Sequence, residues 1–600
     1  MRRVWVGATA VVLVWAGVAW ADTATQTVRG LDRKLVEYGW DVPTTDFVRD
    51  HIREMEQRPF DGLLFRLLGG GQVLTPTELD PATFEPDYEA GPQIQWGRFT
   101  DNFAMMWAAS DQDWFNDEHW AAIEHNARLI ARAARLAKCV GLCFDHEPYG
   151  TNPWSYADAA HRDTRTFGEY EDMARRRGAQ FMRAILIEMP HPKILTFFQL
   201  SLFGSLLQPM EPADRAAMLA QNGYGLLPAF LNGMVEAGGT RATIIDGNEN
   251  AYYYTDRNQY LDEYQVVTQR GLLLMDPLLW PLYRTQVQVG QALYVDQYFG
   301  LRGDIKTQGN YLTPEERAQW FEHNVYWSLS TTDQYVWCYS ERMNWWTNTD
   351  VPPGCEDAIR SAREKLAAGE PLGFDLKPII GRADERQRAE VVSRIQTRRA
   401  EIARVPAGVA RPQVDGDLSD PLWQRIEPLP PFLQLAGRSE KQIAATLARV
   451  AFDGDALYIA FHCAEPQPAQ MSILGTRHDD PVWQGDDVEV MISRPGGMLP
   501  FYHFMLNPKN VAWDAVHTEG ETPDTGFDPE WQHGARIGAD YWDAELALPW
   551  ASMKMAAPAA GEELRANLCR QRMQGGELSS WSSMVNGFLE SDLFGKWLFA

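Results

Sequence analysis

Cysteine is scarce in this sequence, and no cysteine pattern is typical of a metal knuckle. The 600 residues include six cysteines. Five of them lie in apolar, strand-like runs: Cys139, Cys143, Cys338, Cys463 and Cys569. Disulfide scaffolds and zinc knuckles depend on dense or regularly spaced cysteines. We therefore predict buried free thiols and no cysteine-based metal site.

Positively charged residues are also few relative to negatively charged ones. The 55 lysine and arginine residues are outnumbered by 81 aspartate and glutamate residues, which gives a net charge of −26. This excess argues against nucleic acid as a partner, because binding to phosphate groups depends on lysine and arginine. It also disfavours acidic glycans, unless a local basic patch is present, and it favours a neutral or basic ligand.

Long hydrophobic runs are absent after the first 21 residues. Those residues combine Arg2 and Arg3 with an apolar core from Val4 to Val18 and the small-x-small site Ala19-Trp20-Ala21. This is the pattern of a cleavable export signal. A membrane-spanning helix needs roughly 20 apolar residues, and no later segment supplies them. The sequence predicts a secreted or periplasmic protein without a membrane span, and it leaves the oligomeric state open.

Aromatic residues, in contrast, are abundant, with 23 tryptophans, 21 tyrosines and 26 phenylalanines. Aromatic side chains line many sites for small ligands. A large hydrophobic core explains the same composition equally well. The position of the aromatic residues relative to polar groups therefore has to decide between the two explanations.

Short apolar runs alternate with amphipathic helical segments between Leu35 and Gly369, which is the pattern of a parallel sheet covered by helices. The predicted strands are residues 35–39, 60–67, 102–108, 140–145, 194–200, 242–246, 292–297 and 335–339. The predicted helices are residues 45–57, 119–137, 168–188, 213–237, 257–270, 314–328 and 356–368. The pattern predicts an α/β domain, a (β/α)8 TIM-like barrel over residues 22–378.

Polar and aromatic residues collect at the carboxyl ends of the predicted strands, where the functional residues of such barrels lie. The fourth strand ends in FDHEPYG, so Asp145 and Glu147 alternate onto one face before Pro148. Neighbouring carboxyl groups in a buried setting raise one pKa, which favours a general acid. We predict catalytic roles for Glu147, Asp145, Glu341, Asp246 and Glu249. Predicted substrate contacts are Trp40, Tyr149, Gln199, Asn248, Tyr252, Asp296, Tyr298, Trp337 and Tyr339.

Simpler interpretations exist for several of these residues. An isolated Asp-x-Glu is more often a solvated loop with a capping aspartate than a catalytic pair. Asp246 precedes Gly247 and fits ordinary turn chemistry, and Glu341 fits an ion pair with the adjacent Arg342. None of these interpretations accounts for carboxylates and aromatic residues that arrive together at four strand ends.

The pattern changes after the barrel. Residues 379–412 contain a strongly charged helical pattern from Arg382 to Val405, predicted to be a linker helix against the barrel or, less readily, a coiled coil. From residue 413 to residue 600, short alternating runs are separated by turns such as Asp453-Gly454 and Asn507-Pro508. They predict an all-β domain, a C-terminal antiparallel β-sandwich.

Several motifs of the second domain occur in a recognisable order: DGDLSDPLWQ from Asp415, VWQGDDVEVMI from Val482, FYHFMLNPKNVAWDA from Phe501, YWDAELALPWASM from Tyr541 and FGKWLF from Phe594. Together they resemble the family 9 carbohydrate-binding modules. The resemblance implies a sandwich that holds a sugar between aromatic faces, with carboxylates and amides on its hydroxyl groups. The candidate positions are Trp483, Trp513, Trp531, Trp581, Asp487, Glu489 and Asn507, whereas Trp423 and Trp550 match positions that are usually core.

No cofactor is required by any pattern in the sequence. Asp415, Asp417, Asp453 and Asp455 form either a structural calcium site in the β-sandwich or ordinary turns. The candidate catalytic and binding residues include no predicted metal ligand.

The barrel half resembles secreted barrel-type glycoside hydrolases of environmental bacteria. The resemblance rests on EYGWD from Glu37, on DWF followed by an HNA helix, and on the FDxExYG strand end. It implies cleavage of O-glycosidic bonds in a polysaccharide or oligosaccharide by two carboxyl groups. We expect Glu147 to be the acid, helped by Asp145, and Glu341 to be the second carboxylate.

The alternative to this hydrolase is a non-catalytic carbohydrate-binding surface protein with a degenerate barrel. Fold alone does not establish catalysis. A sugar lyase or esterase is disfavoured, because the sequence contains no GxSxG elbow and few basic residues at the predicted strand ends.

Overall fold

The chain folds into two units, which divide between Asp384 and Glu385 in a computed structural model. The structure describes residues 33–208, 210–303, 306–395, 397–436, 443–519 and 522–600. The predicted export signal, residues 1–21, lies outside the described residues. In the part of the chain that is described, no helix has the length and apolar character needed to cross a membrane.

Parallel strands form a nearly closed barrel sheet in the first unit, in the order β7-β6-β5-β4-β3-β2-β1-β9-β8. Their bounds are β1 Lys34–Gly39, β2 Gly62–Phe65, β3 Phe103–Trp107, β4 Gly141–Asp145, β5 Lys193–Thr196, β6 Thr243–Asp246, β7 Val287–Val289, β8 Gln291–Tyr294 and β9 Tyr335–Ser340. Only Gly290 separates β7 from β8. β7 pairs with β6, and β8 pairs with β9. The segment from Val287 to Tyr294 therefore supplies both end strands of the sheet.

Helices occupy most of the connections between these strands. They are α1 Thr45–Met55, α2 Glu85–Ala90, α3 Asp117–Leu136, α4 Phe167–Glu188, α5 Pro212–Gln221, α6 Leu227–Gly238, α7 Arg257–Thr268, α8 Trp280–Gln286, α9 Val295–Phe299, α10 Pro314–Thr331, α11 Cys355–Ala368 and α12 Lys377–Val392. Side-chain caps define several helix starts; at α4 and α10, for example, Thr166 and Thr313 complete capping boxes.

One predicted helix, residues 213–237, is two helices in the structure. Helix α5 ends at Gln221, and α6 begins at Leu227. Between them the Asn222 side chain accepts a hydrogen bond from the backbone of Tyr224 at 2.8 Å. A Cβ atom on Gly225 would lie 2.0 Å from the Leu219 carbonyl oxygen. The chain therefore makes a tight turn here that a continuous helix does not allow.

Two predicted strands end at least three residues earlier than expected. The strand predicted over residues 194–200 ends at Thr196, and a 3-10 helix begins at Leu200. The strand predicted over residues 292–297 ends at Tyr294, where α9 begins. Alternation between two faces applies only within a strand. Gln199, Asp296 and Tyr298 therefore lie beyond the strands that were predicted to carry them.

The second unit is built on a mostly antiparallel, barrel-like sheet with the order β16-β15-β14-β19-β21-β10-β12-β13-β18-β17, beside which β11 pairs with β20. Its strands are β10 Arg399–Arg404, β11 Leu433–Gln434, β12 Thr446–Phe452, β13 Ala456–Ala464, β14 Asp487–Ser493, β15 Phe501–Leu506, β16 Ala512–His517, β17 Gln532–Ile537, β18 Tyr541–Pro549, β19 Glu563–Arg572, β20 Glu577–Ser580 and β21 Gly595–Phe599. Alternate residues of these strands form one apolar core that includes Val490, Phe504 and Leu546.

The charged segment before this sheet is only partly helical. Helix α12 ends at Val392, and Arg399–Arg404 forms β10, which pairs in parallel with both β12 and β21. The prediction of a helix as far as Val405 was therefore wrong over these residues. Ile402 is buried in the apolar core. Packing in the sheet therefore determines the conformation of this segment, although its local pattern of charged residues is typical of a helix.

The cysteine prediction is confirmed. All six cysteines are buried free thiols.

Candidate active site

A cavity of about 300 Å³ opens at the carboxyl ends of the barrel strands. Its walls come from residues at or just beyond β1, β4, β5, β6, β8 and β9. The lining residues are Tyr38, Trp40, Glu147, Tyr149, Phe197, Glu249, Tyr252, Tyr253, Tyr294, Arg302, Trp337, Tyr339 and Glu341. Segments distant in the sequence thus bring three glutamates and a set of aromatic side chains to one place.

The aromatic side chains form a continuous wall. Phe197 stacks on Trp337, with ring centroids 4.2 Å apart and planes inclined by 20°. Tyr38 contacts Phe197 at 4.8 Å and Tyr339 at 5.4 Å. Tyr252 stacks on Tyr339 with centroids 5.9 Å apart. Such contacts hold the rings in fixed orientations, so the cavity offers flat apolar surfaces next to carboxyl groups.

Glu147 follows β4, at the segment singled out in the sequence. Its backbone N–H donates to Asp145 Oδ1 at 2.8 Å, and its Oε2 accepts a hydrogen bond from the Tyr149 hydroxyl. Asp145 itself is buried, and burial together with the charge of Glu147 raises the pKa of Asp145 to about 8. Asp145 does not line the cavity and instead supports the backbone beneath Glu147.

Glu249 begins the 3-10 turn Glu249–Tyr253 that follows β6. Its backbone N–H donates to the Phe197 carbonyl oxygen at 3.1 Å, which ties the turn to β5. Burial and, next, the negative charge of Glu147 raise the pKa of Glu249 to about 7. A carboxyl group in this position retains a proton for a substantial fraction of the time at neutral pH.

Glu341 follows β9 and is held by two tyrosines. Its Oε1 accepts hydrogen bonds from the Tyr294 hydroxyl at 2.8 Å and from the Tyr339 hydroxyl at 3.4 Å. Its backbone N–H donates to Asp296 Oδ2 at 2.8 Å. Two phenolic donors therefore hold the Glu341 carboxyl group in a fixed position at the wall of the cavity.

Besides Asp145, five predicted site residues lie outside the cavity: Asp246, Gln199, Asn248, Asp296 and Tyr298. All five are buried. Asp246 accepts hydrogen bonds from the backbones of Ser201 and Gln199 at 2.9 and 3.1 Å. Turn chemistry, the simpler interpretation, therefore describes this carboxyl group.

The other buried residues also have structural partners. Asn248 donates to Gln291 Oε1 at 2.8 Å, and the amide nitrogen of Gln199 is 3.1 Å from His146 Nε2. Asp296 accepts from the backbone of Glu341, as described above. Tyr298 packs in the core against Phe321, with ring centroids 5.6 Å apart. These residues position the segments that carry the cavity residues, and the predicted substrate contacts at these positions were wrong.

Sequence analysis assigned no catalytic or binding role to five residues of the cavity: Tyr38, Phe197, Tyr253, Tyr294 and Arg302. Tyr38 was detectable, because it alternates with Glu37 at the end of β1. The neighbouring Glu37, although polar, is fully buried and does not line the cavity. Arg302 follows the short helix α9 and has no signal in the strand pattern. Only the folded chain shows that it reaches the cavity.

Two of the candidate sugar-binding tryptophans of the second unit, Trp483 and Trp513, contact each other. Trp483 is 42% exposed, and its ring meets Trp513 edge to face at 5.4 Å. Trp531 is half-buried. Trp581 is fully buried against Trp597 in the core, so its assignment to a stacking surface was wrong. Trp423 and Trp550 are core residues, as predicted.

The polar candidates of this unit are buried. Glu489 Oε2 accepts from His503 Nε2 at 2.7 Å, and Asp487 is fully buried beside it. Asn507 Oδ1 accepts from the backbones of Lys509 and Val511, both at 2.9 Å. Asn507 therefore fixes the turn between β15 and β16, and its predicted contact with a sugar was wrong.

Two of the aspartates considered for calcium bind one arginine. Arg411 contacts Asp455 and donates to Asp453 Oδ2 at 2.6 Å. Arg536 donates to Asp417 Oδ2 at 2.6 Å, and Asp415 Oδ1 accepts from the Asp417 backbone at 2.9 Å. Guanidinium groups thus neutralise three of the four carboxylates.

Comparison with known proteins gives distant structural similarities. No family model and no curated protein matches the chain. A family 9 carbohydrate-binding module from Caldicellulosiruptor kristjanssonii in complex with glucose is 14% identical over 34% of this chain and 96% of its own, with a TM-score of 0.26. The catalytic domain of the major endoglucanase from Xanthomonas campestris pv. campestris is 11% identical over 56% and 94%, with a TM-score of 0.32. A GH18 chitinase from Pseudoalteromonas aurantia is 14% identical over 55% and 99%, with a TM-score of 0.28.

The similar solved structures thus include both kinds of protein that the sequence motifs resemble, carbohydrate-binding modules and glycoside hydrolases.

Proposed function

We propose that the first unit is a glycoside hydrolase that cleaves O-glycosidic bonds in a polysaccharide or oligosaccharide. The observation that carries this proposal is the meeting of Glu147, Glu249 and Glu341 in one aromatic-walled cavity. Glycosidic cleavage needs one protonated and one ionised carboxyl group on either side of the scissile bond. Aromatic rings stack on the apolar faces of sugars, and the cavity provides both features.

Glu249 is the proton donor in this proposal, and Glu147 is the ionised partner. The raised pKa of Glu249, about 7, supports the donor role, and the hydrogen bond from the Tyr149 hydroxyl fixes the orientation of the Glu147 carboxyl group. As the glycosidic bond breaks, Glu249 protonates the leaving oxygen. Glu147 either attacks the anomeric carbon or takes a proton from the attacking water. This assignment moves the acid role from Glu147, where sequence reasoning had put it, to Glu249.

Glu341 is assigned to substrate binding. Its carboxylate is fixed by Tyr294 and Tyr339, so it can accept hydrogen bonds from sugar hydroxyl groups without moving. Arg302 adds the one basic side chain among the residues that line the cavity. Its positively charged guanidinium group donates hydrogen bonds to the same sugar.

We extend the proposal to the fold of both units. If the segment from Val287 to Tyr294 counts as one strand interrupted at Gly290, the first unit is an eight-stranded (β/α)8 barrel with its active site at the usual face. The second unit is a β-sandwich of the carbohydrate-binding type, with the exposed Trp483 as its sugar contact and the buried Trp513 packed against it. The chain is exported through residues 1–21.

A glycan panel with detection of new reducing ends tests the proposal. We expect wild-type protein to release reducing ends from at least one glycan. Glu249→Gln should lower this rate by about 10²- to 10⁴-fold, the usual effect of losing a general acid. On dinitrophenyl glycosides the loss should be much smaller, because that leaving group needs no proton. Binding without cleavage on every glycan would overturn the hydrolase and favour a non-catalytic carbohydrate-binding protein.

A further inference from the structure

Three side chains with metal-binding atoms converge in the second unit: His478, Asp479 and Asp514. One potential ligand atom from each lies within 4.8 Å of the others. His478 Nε2 is 3.0 Å from Asp514 Oδ2, and His478 Nδ1 is 3.4 Å from Asp479 Oδ2. Among the described residues, no other group of three histidine, cysteine, aspartate or glutamate side chains meets this spacing.

The buried carboxylate of Asp514 gives an independent indication that a ligand is needed here. The side chain of Asp514 is fully shielded from solvent. Its Oδ2 is hydrogen-bonded to both Trp531 Nε1 and His478 Nε2, each at 3.0 Å, whereas its Oδ1 has no hydrogen-bond partner within the described ranges. Leaving a buried carboxylate oxygen without a partner is costly, and a bound cation would remove that cost.

The donor set indicates which cation. One imidazole nitrogen and two carboxylate oxygens suit Zn²⁺, whereas Ca²⁺ and Mg²⁺ prefer sites made of oxygen alone. The side chains of His478 and Asp479 are 39% and 40% exposed, so an ion can enter and water can occupy a fourth position. Three protein ligands with water in the fourth position are a common zinc arrangement.

We propose that His478, Asp479 and Asp514 bind one divalent cation of the zinc class. The ion joins the segment that precedes β14 to strand β16, where the Asp479 backbone already donates to the Ala512 carbonyl oxygen at 3.0 Å. Trp483 follows on the same segment and meets Trp513 of β16. The site therefore stabilises the second unit and fixes the position of its exposed tryptophan. This inference does not depend on the proposed hydrolase activity.

The test uses untagged full-length protein dialysed against a chelator and then titrated with Zn²⁺. We expect one equivalent of Zn²⁺ to bind and to raise the thermal unfolding temperature. His478→Ala should weaken zinc binding at least tenfold and abolish the thermal shift. His462→Ala is the matched control, because His462 also contacts an aspartate, Asp543 at 2.6 Å, but belongs to no group of three ligands. It should bind zinc like the wild type.

Asp514→Asn could misfold because Asp514 is buried. The decisive variants are therefore those at the partly exposed residues His478 and Asp479. Asp479→Asn, with circular dichroism as a folding check, should weaken zinc binding as His478→Ala does. Absence of zinc binding by the wild type would overturn the proposal. So would zinc binding that neither variant weakens, since the bound ion would then lie elsewhere in the chain. Displacement of zinc by equimolar Ca²⁺ would also contradict the assignment of the metal.

Discussion

At the scale of single residues, the surroundings of three glutamates decide what each can do. Glu249 is desolvated and lies close enough to Glu147 for the two charges to interact, so its neutral form is favoured. Glu147 and Glu341 accept hydrogen bonds from tyrosine hydroxyl groups, which fix the orientation of their carboxyl groups. The same type of side chain thus has different surroundings at three positions of one cavity.

The protonation of Glu249 should determine the alkaline side of the pH dependence. Its pKa is raised to about 7, and a general acid works only in its protonated form, so kcat/KM should fall as pH rises above about 7. The measurement is a pH profile on an aryl glycoside with a poor leaving group. In Glu249→Gln, assayed on a dinitrophenyl glycoside, the alkaline decrease should be absent. Its persistence in this variant would assign the decrease to another group.

Replacing Glu147 should separate catalysis from binding. Glu147→Gln keeps the size of the side chain but removes its charge, so it loses the ionised partner that the reaction requires. We expect hydrolysis to fall by at least about 10³-fold, while retention of the protein on insoluble polysaccharide stays unchanged. Glu54→Gln, at an exposed position of α1, serves as the control. Activity in Glu147→Gln close to that of the control would contradict the role of Glu147.

At the scale of secondary-structure elements, the sequence predicted most of the barrel because its periodicity is strong. Residues 140–145 and 335–339 appear as β4 and β9 almost as predicted. The errors occur where a strand becomes a helical turn, at Gln199 and Asp296. There the residues leave the strand, and alternation no longer tells which way a side chain points. Local pattern cannot show this, because the neighbouring strands decide where pairing stops.

Two glycines let α4 and α6 approach each other closely. A Cβ atom on Gly178 would lie 2.1 Å from the Phe230 carbonyl oxygen, and one on Gly233 would lie 1.9 Å from that of Arg175. Gly178→Ala should therefore force the helices apart and lower the free energy of unfolding by about 1 to 3 kcal/mol. The measurement is the urea concentration at half-unfolding.

The same helix provides the control. Gly168 lies in α4, and an added Cβ atom there has no neighbour within 4 Å. Gly168→Ala should raise the free energy of unfolding by about 0.5 to 1 kcal/mol, because alanine loses less backbone entropy in a helix. Equal effects of the two substitutions would show that close packing at Gly178 does not matter.

At the scale of the whole molecule, the chain consists of two units with separate cores, and each has its own candidate surface for a sugar. The first has a cavity lined by three glutamates and aromatic side chains, and the second has the exposed Trp483, whose ring contacts the buried Trp513. A cavity suits chemistry, because it holds reacting groups away from water, whereas an exposed aromatic surface suits attachment to a polymer. The division predicts that each unit can lose its function while the other retains it.

Trp483→Ala should weaken attachment without affecting hydrolysis. Trp483 is 42% exposed, so its removal should lower binding to insoluble polysaccharide while activity on soluble aryl glycosides and thermal stability are retained. Trp581→Ala is the contrasting variant, because Trp581 is fully buried. It should destabilise the second unit by about 3 to 5 kcal/mol. Unchanged polysaccharide binding by Trp483→Ala would exclude this tryptophan from the contact surface.

The sequence alone determined the alternation of strands and helices, the change to an all-β pattern, and the position of Glu147 at a strand end. These follow from periodicity and from turn residues, which act over a few neighbours. Only the tertiary structure decided which carboxyl groups share a cavity. Glu249 and Glu341 reach it while Asp246 and Asp296 remain beneath it, because strand pairing between distant segments fixes where each chain turns. Burial and neighbouring charge, which determine the pKa of Glu249, likewise exist only in the folded chain.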